Sequence, residues 1–205
     1  MKIELYEFEG ITLEETIEKA EYNLKLNKKD FQIKSDESKE GLFKGKKVKI
    51  TVLTNKQIIE FVKKYLKEIT SKMNISIKIE VRQKDNMIQF MMFTDSSPIL
   101  IGKKGKTLDS IQILVRQAIY NETNFLVNNI VVDAEYYKVR QKKKLEKLAN
   151  ELADEVIATN VEIKLDDMSA YERKIIHNIL MDREEIYTES EGEDPHRHIV
   201  IKPNK

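Results

Sequence analysis

The spacing of apolar residues switches repeatedly along this chain between a period of two and a period near 3.6, the marks of strand and helix. Ile3, Leu5, Tyr6 and Phe8 roughly alternate with polar residues and predict a first strand. Thr12-Leu13-Glu14-Glu15 has the form of a capping box, with Thr12 as N-cap and Glu15 at the third helical position. It predicts a helix to about Leu26 that buries Leu13, Ile17, Ala20 and Leu24. Residues 31–34 read as a short strand, 35–41 as a polar loop, and 47–53, where lysines alternate with Val48, Ile50 and Val52, as a half-buried strand. The lysine run 44–49 reads as an edge strand guarded by its charges, or as a nucleic-acid contact.

The pattern then repeats with almost no linker. Residues 56–72 predict an amphipathic helix burying Ile58, Ile59, Val62, Tyr65, Leu66 and Ile69. Strands at 76–82 and 87–93 are joined by the Lys84-Asp85-Asn86 turn. Pro98-Ile99-Leu100-Ile101 is a short helix or turn, and 106–121 a helix whose core face holds Leu108, Ile111, Leu114, Val115, Ala118 and Ile119. A strand at 129–134 closes this part, in the order α-β-β-(short α)-loop-α-β. A long helix comes next at 136–159, burying Leu145, Leu148, Ala149, Leu152 and Val156, then a short strand at 160–165. Ser169-Ala170-Tyr171-Glu172 is a second capping box, opening a helix with Ile175, Ile176 and Ile179 toward the core. Strands at 187–190 and 198–202 end the chain. The expected class is α+β, with three small α/β-sandwich domains in tandem. They are a β-α-β-β unit over 1–54, a second domain over 55–135, and a third over 136–205.

One stretch stands out chemically: Ile101-Gly102-Lys103-Lys104-Gly105-Lys106. The glycines permit a sharp turn and close approach of a ligand to the backbone. The helix beginning there offers free N–H groups and the positive end of its dipole. Lys103, Lys104 and Lys106 add charge at the same place, making an anion cradle for a nucleic-acid backbone or a nucleotide. The end of the stretch also resembles a Walker A loop, Gly-x-x-x-x-Gly-Lys-Ser/Thr, but the position of its first glycine is Leu100.

Composition narrows the field. The 205 residues include no cysteine, which leaves no disulfide framework or thiolate metal site and fits a reducing cytosol. There is no apolar run of signal-peptide type at the N-terminus, and no window approaches a membrane span, so membrane insertion is not expected. The net charge of +1 conceals blocks: −4 over 1–40, +4 over 41–55, +8 over 56–149 and −7 over 150–205. A basic middle between acidic ends suggests a polyanion partner, or simply solvated helix faces. The basic half of the long helix, Lys138, Arg140, Lys142, Lys143, Lys144 and Lys147, either extends a phosphate track or solubilises the helix. His196 and His198 with Glu193 and Asp194 are the only metal candidates, without thiols, and neither metal nor cofactor is expected.

The α-β-β-α-α-β order with Ile-Gly-Lys-Lys-Gly between two helical segments resembles a KH domain of the bacterial type. That resemblance implies a loop that clamps single-stranded RNA or DNA by its backbone, with bases in an adjoining apolar groove. It makes Gly102, Lys103, Lys104, Gly105 and Lys106 backbone-binding residues and Ile99, Ile101 and Leu108 groove candidates, Leu108 reading first as core. Arg173-x-x-x-His177, with Glu191-Gly192-Glu193-Asp194-Pro195-His196-Arg197-His198 after it, resembles the single-stranded nucleic-acid-binding domain named for its Arg-x-x-x-His signature. It implies that Arg173, His177 and Arg197, with Lys174 beside them, contact backbone or bases; His177 also reads as a structural hydrogen-bonder.

The whole order resembles the Jag family, the SpoIIIJ-associated RNA-binding proteins of bacteria. The resemblance implies a cytoplasmic, non-catalytic RNA-binding protein, regulating after transcription and tied to cell elongation and division. It also implies pairing with a small single-KH protein, or self-association, and a protein partner at the N-terminal unit. The family's Lys-Lys-Gly-Phe-Leu-Gly stretch is here Lys39-Glu40-Gly41-Leu42-Phe43-Lys44-Gly45, and the usual long linker is missing. Two other readings stay open: a protein-interaction scaffold without nucleic-acid binding, favoured by the −7 C-terminal block, and a nucleotide-binding enzyme.

Overall fold

The computed structural model describes residues 2–38 and 47–204. The stretch 39–46, which holds part of the expected polar loop and lysine run and the Lys39–Gly45 segment, lies outside the described residues. The chain divides into two compact units, Met1–Glu135 and Tyr136–Lys205. Both are α+β.

In the first unit, strand β1 (Tyr6–Gly10) pairs antiparallel with β3 (Lys47–Thr54), and β3 with β2 (Phe31–Ser38). Helix α1 (Leu13–Leu24) packs Ile17 and Ala20 against Phe31, Ile50 and Val52. Thr12 caps it by accepting from Glu15 N at 3.2 Å, while the Glu15 carboxylate accepts from Ile11 N at 3.2 Å. Thr16 takes the inside place expected for Leu13, which is exposed; the buried Thr16 hydroxyl donates to Thr12 O at 2.6 Å. The edge reading of residues 47–49 is corrected, because β3 is the central strand. Alternation looks the same at the edge and the centre of a one-sided sheet; here both neighbouring strands pair with β3. Its Lys49 meets Glu7 across the ladder at 2.8 Å.

β3 runs directly into helix α2 (Asn55–Lys72). Thr54 is at once the last residue of the strand and the N-cap of the helix. Its hydroxyl accepts from Gln57 N at 3.2 Å, and Gln57 Oε1 accepts from Thr54 N at 2.9 Å. Gln57 Nε2 also donates to Glu4 O, and Asn55 Nδ2 to Lys29 O at 3.3 Å. Gln32 Nε2 donates to Asn129 Oδ1 at 2.9 Å, so the first sheet is tied to residues 55–135 by polar side chains as well as by the chain.

The second sheet has the order β4-β5-β6. β4 (Lys78–Lys84) and β5 (Met87–Phe93) form a hairpin whose turn residues, Asp85 and Asn86, have φ of 49° and 63°. Two left-handed residues match the twist of the flanking strands. β6 (Ile130–Ala134) lies parallel to β5, so the chain must cross over between them. The crossover is helix α3 (Ser97–Ile101), a 3-10 turn (Lys103–Gly105) and helix α4 (Lys106–Thr123). Leu108, Ile111, Val115 and Ile119 are buried, as expected, but Leu114 is 47% exposed and Gln112 is inside instead. The stripe is narrower than its apolar content suggests.

In the second unit, helices α5 (Tyr137–Thr159) and α6 (Ala170–Leu180) pack together against a sheet of β7 (Ile163–Lys164), β9 (His198–Pro203) and β8 (Ile186–Glu191), in that order. Leu145, Ala149, Ala153 and Val156 meet Ile175, Ile176, Ile199 and Ile201. Leu148, expected inside, is exposed. Ala149 and Ala153 are wholly buried on the core face instead.

Among the described residues no helix is long and apolar enough to cross a membrane.

Thr54→Ala removes the α2 cap and should cost about 1 kcal/mol. In native-state hydrogen exchange the loss should appear in α2 and β3, with α6 unchanged; equal loss in α6 would contradict this.

Candidate nucleic-acid interface

The glycine stretch forms one continuous surface turn at the start of α4. Gly102 N donates to Pro98 O at 2.9 Å and Gly105 N to Gly102 O at 3.3 Å. Gly102 has φ 72° and ψ −178°, a combination that side-chain-bearing residues avoid. A Cβ there would lie 2.1 Å from the Thr107 hydroxyl and 2.8 Å from Thr107 Cβ. Lys104 and Gly105 are left-handed, at φ 52° and 79°. Together they fold the chain back so that α4 begins at the turn itself.

Gly105 is the N-cap of α4 and supplies no side chain, so the first turn is not capped by one. Lys106 N donates back to Lys103 O, and the N–H groups that follow it, with the helix dipole, face the turn. Lys103, Lys104 and Lys106 are all exposed there; Asp109 in the first turn is the nearest opposing charge along the helix. This is the geometry of an anion site.

The apolar candidates separate. Ile99 is 61% exposed, at the middle of α3. Ile101 is 9% exposed and Leu108 wholly buried, so neither presents a surface to a base, contrary to the groove expectation. In a five-residue helix, adjacent positions point about 100° apart, and the core takes Leu100 and Ile101.

In the second unit the Arg-x-x-x-His pair is split by burial. The Ser169 box closes as expected: its hydroxyl accepts from Glu172 N at 3.3 Å and Glu172 Oε2 from Ser169 N at 2.8 Å. Arg173, one residue on, is 8% exposed. Its Nη1 donates to Met168 O at 2.8 Å and lies 4.0 Å from Asp194 Oδ1. Met168 N in turn donates to Arg197 O at 3.0 Å. Arg173 thus joins the segment before α6 to the tip of the β8–β9 hairpin. His177 is exposed, and its Nδ1 shares a hydrogen bond of 2.7 Å with Thr188 Oγ1. Lys174 is exposed beside it. Arg197 is half-buried, and its Nε is buried with no hydrogen-bond partner among the described residues.

Several charges on this unit are paired. Lys202 Nζ donates to Glu189 at 2.7 Å and Glu191 at 2.6 Å. The two carboxylates push the lysine pKa well up, and the Lys202 hydrogen bond holds Glu191 below the usual carboxylate range. His196 Nδ1 lies 2.8 Å from Asp167 Oδ2. That hydrogen bond, with the fields of His196, His198 and Lys164, holds Asp167 below its usual range. On α5, Lys142 meets Glu146 at 3.6 Å and Lys147 meets Glu151 at 3.7 Å, so part of the basic helix face is balanced locally. No group of three metal-ligating side chains occurs among the described residues.

Sequence reasoning passed over the exposed side chains of three tyrosines in this unit, Tyr136 at the start of α5, Tyr171 (61%) and Tyr187. Tyr171 sits inside the capping box, where its ring adds nothing to the cap; that was the available signal. Tyr187 carried none.

Similarity to known proteins falls along the same division. Residues 59–132 match the family described as KhpA/KhpB, KH domain, and residues 143–203 match the family of the domain named for its Arg-x-x-x-His signature. The chain is 35% identical over 164 residues to the RNA-binding protein KhpB of Bacillus subtilis, covering 78% of each chain. It is 35% identical over 139 residues to KhpB of Clostridium symbiosum, covering 67% of this chain and 62% of that one. For KhpB of Lactiplantibacillus plantarum the values are 33% over 141 residues, 69% and 44%. The match therefore spans less than two thirds of two of these three relatives.

Arg173→Ala should lower the melting temperature of the second unit, because it leaves Met168 O unpaired within the fold. His177→Ala, at an exposed site, should barely move it; calorimetry of the two variants checks the split. Asp167 contributes stability above the ordinary aspartate pKa that is lost as pH falls through its lowered folded value. In His196→Ala its carboxyl should titrate at higher pH than in the parent, read by carbon NMR.

Proposed function

This chain belongs to the KhpB family, also called the Jag family, and we propose that it binds single-stranded RNA without catalysis. One observation carries the proposal. The uncapped start of α4, the glycine turn and the exposed Lys103, Lys104 and Lys106 converge on a single spot at the surface. A phosphodiester backbone meets there the N–H groups, the dipole and the charges it requires. Ile99 supplies an apolar patch for a base beside it.

The residues have distinct roles. Gly102 and Gly105 shape the turn, and the three lysines hold phosphates. In the second unit, His177 and Lys174 are the contacts, since a histidine plane stacks on bases and a lysine pairs with phosphate. Arg173 positions that surface from within, and Arg197 offers its guanidinium at the hairpin tip. With its −7 block over 150–205, the second unit adds little long-range attraction, and the first unit dominates affinity.

The names of the relatives, RNA-binding protein KhpB, support RNA over DNA as the strand bound. We extend the proposal to the family's wider setting: a cytoplasmic regulator of cell elongation and division, paired with a small single-KH protein or with itself. The three-module division at 54/55 and 135/136, with residues 1–54 as a site for a protein partner, belongs to the same proposal.

The test is Lys103→Asp with Lys104→Asp. Both side chains are exposed, so the melting temperature should hold while affinity for a labelled RNA oligomer is mostly lost. Each phosphate contact removed should reduce the slope of log K against log salt by about 0.7. Unchanged affinity in the folded double variant would overturn the assignment of this site.

A further inference from the structure

β6 ends its sheet, pairing with β5 on one side only. Asn129 O accepts from Ile88 N at 2.8 Å, so by the alternation of a parallel pair the backbone groups of Ile130 and Val132 point away from β5. An outward N–H and C=O two residues apart form a donor–acceptor pair of the kind that reads a base edge or accepts another strand. In this protein they are already occupied. Gln112, on α4, accepts from Val132 N at 2.7 Å through Oε1 and donates to Ile130 O at 3.1 Å through Nε2. Arg116 adds a donor to Ile130 O at 3.1 Å and to Asn128 O at 3.2 Å. Gln112 is 8% exposed, at a helix position flanked by buried Leu108, Ile111 and Val115.

The place matters because of what lies next to it. Gln112 comes six residues after Lys106 on the helix that opens at the glycine turn. Six residues of helix rise about 9 Å, and the four nucleotides that such a turn clamps reach that far. A strand held at residues 102–106 and lying along α4 passes the β6 edge. What it meets there is a carboxamide already bonded on both of its polar atoms.

We infer that Gln112 is a specificity-determining residue, which withholds the Val132 N–H and Ile130 C=O from bound bases. The first unit then grips single strands by backbone and shape, with little preference among bases. An apolar residue of similar size at 112 would fill the same space and leave the strand edge open to read a base. This deepens the RNA-binding reading of the turn and rests on it.

The test compares oligo(U), oligo(A) and oligo(C) octamers by fluorescence anisotropy on the full chain. The parent should bind all three with nearly equal affinity. Gln112→Ala should spread the affinities by about fivefold or more, the lower end of what a bidentate base contact supplies, with binding retained. No spread in the folded variant, or a strong preference in the parent, overturns the role of Gln112. No binding of any octamer by the parent overturns the reading of the turn itself.

Should Gln112→Ala fail to fold, amide NMR of the parent decides. On adding oligo(U), the amides of residues 103–106 should shift while Val132 stays unshifted and slow to exchange. A Val132 shift as large as theirs means that RNA displaces Gln112, and the inference fails.

Discussion

The left-handed turn at residues 102–105 is the constraint on which the first unit depends. β6 can lie parallel to β5 only if the chain crosses back between them, and the crossover has to reverse direction between α3 and α4. Gly102, Lys104 and Gly105 make that reversal by taking positive φ within four residues. The contact of a Cβ at Gly102 with Thr107 shows how little room is left. The turn that completes the sheet is therefore the same turn that exposes the helix start. Folding and anion binding make one demand on these residues: Lys104 helps to make the reversal, and Lys103 and Lys106 add charge on either side of it.

The second unit solves a different problem. Its helix α6 must hold a polar hairpin tip in place over a small core. Arg173 does this from inside, through a carbonyl and a distant carboxylate. A guanidinium with five donors suits such bridging better than an ammonium would. His177, one turn later, falls on the solvent side and fastens to Thr188 of the neighbouring strand. The two residues of one motif thus act at different depths: one shapes the surface and the other belongs to it. The clamping of Lys202 by two glutamates removes a cation that sequence counting would have left available.

Continuity between the first two sheets has its own physical consequence. Thr54 serves both as a ladder residue and as a helix cap, so no flexible residue separates β3 from α2. Gln57, Asn55 and Gln32 each add a hydrogen bond to backbone or side chains of the adjoining part. Motion of the N-terminal sheet away from α2 would break the cap as well as these bonds.

The order of elements was legible in the sequence because each signal is local. The cap at Thr12, the capping box at Ser169, the Asp85-Asn86 turn and the alternation in β3 depend only on neighbours a few residues away, although Glu15 closes its half of the expected Thr12 box on Ile11 N instead. The glycine turn was legible for the same reason, since Gly102 and Gly105 permit positive φ that other residues resist. What the sequence could not carry was the choice among equivalent solutions that distant segments make. Alternation in residues 47–53 is the same for an edge and a central strand. Ile99 and Ile101 are chemically alike, and only the packing of α3 turns one outward. Gln112 reads as an interruption of an apolar face until β6 is placed beside it. Arg173 reads as a surface cation until the hairpin folds over it. Local propensity determined the elements and the turn; burial and hydrogen-bond partners, set by residues far apart in the chain, decided which side chains face a ligand.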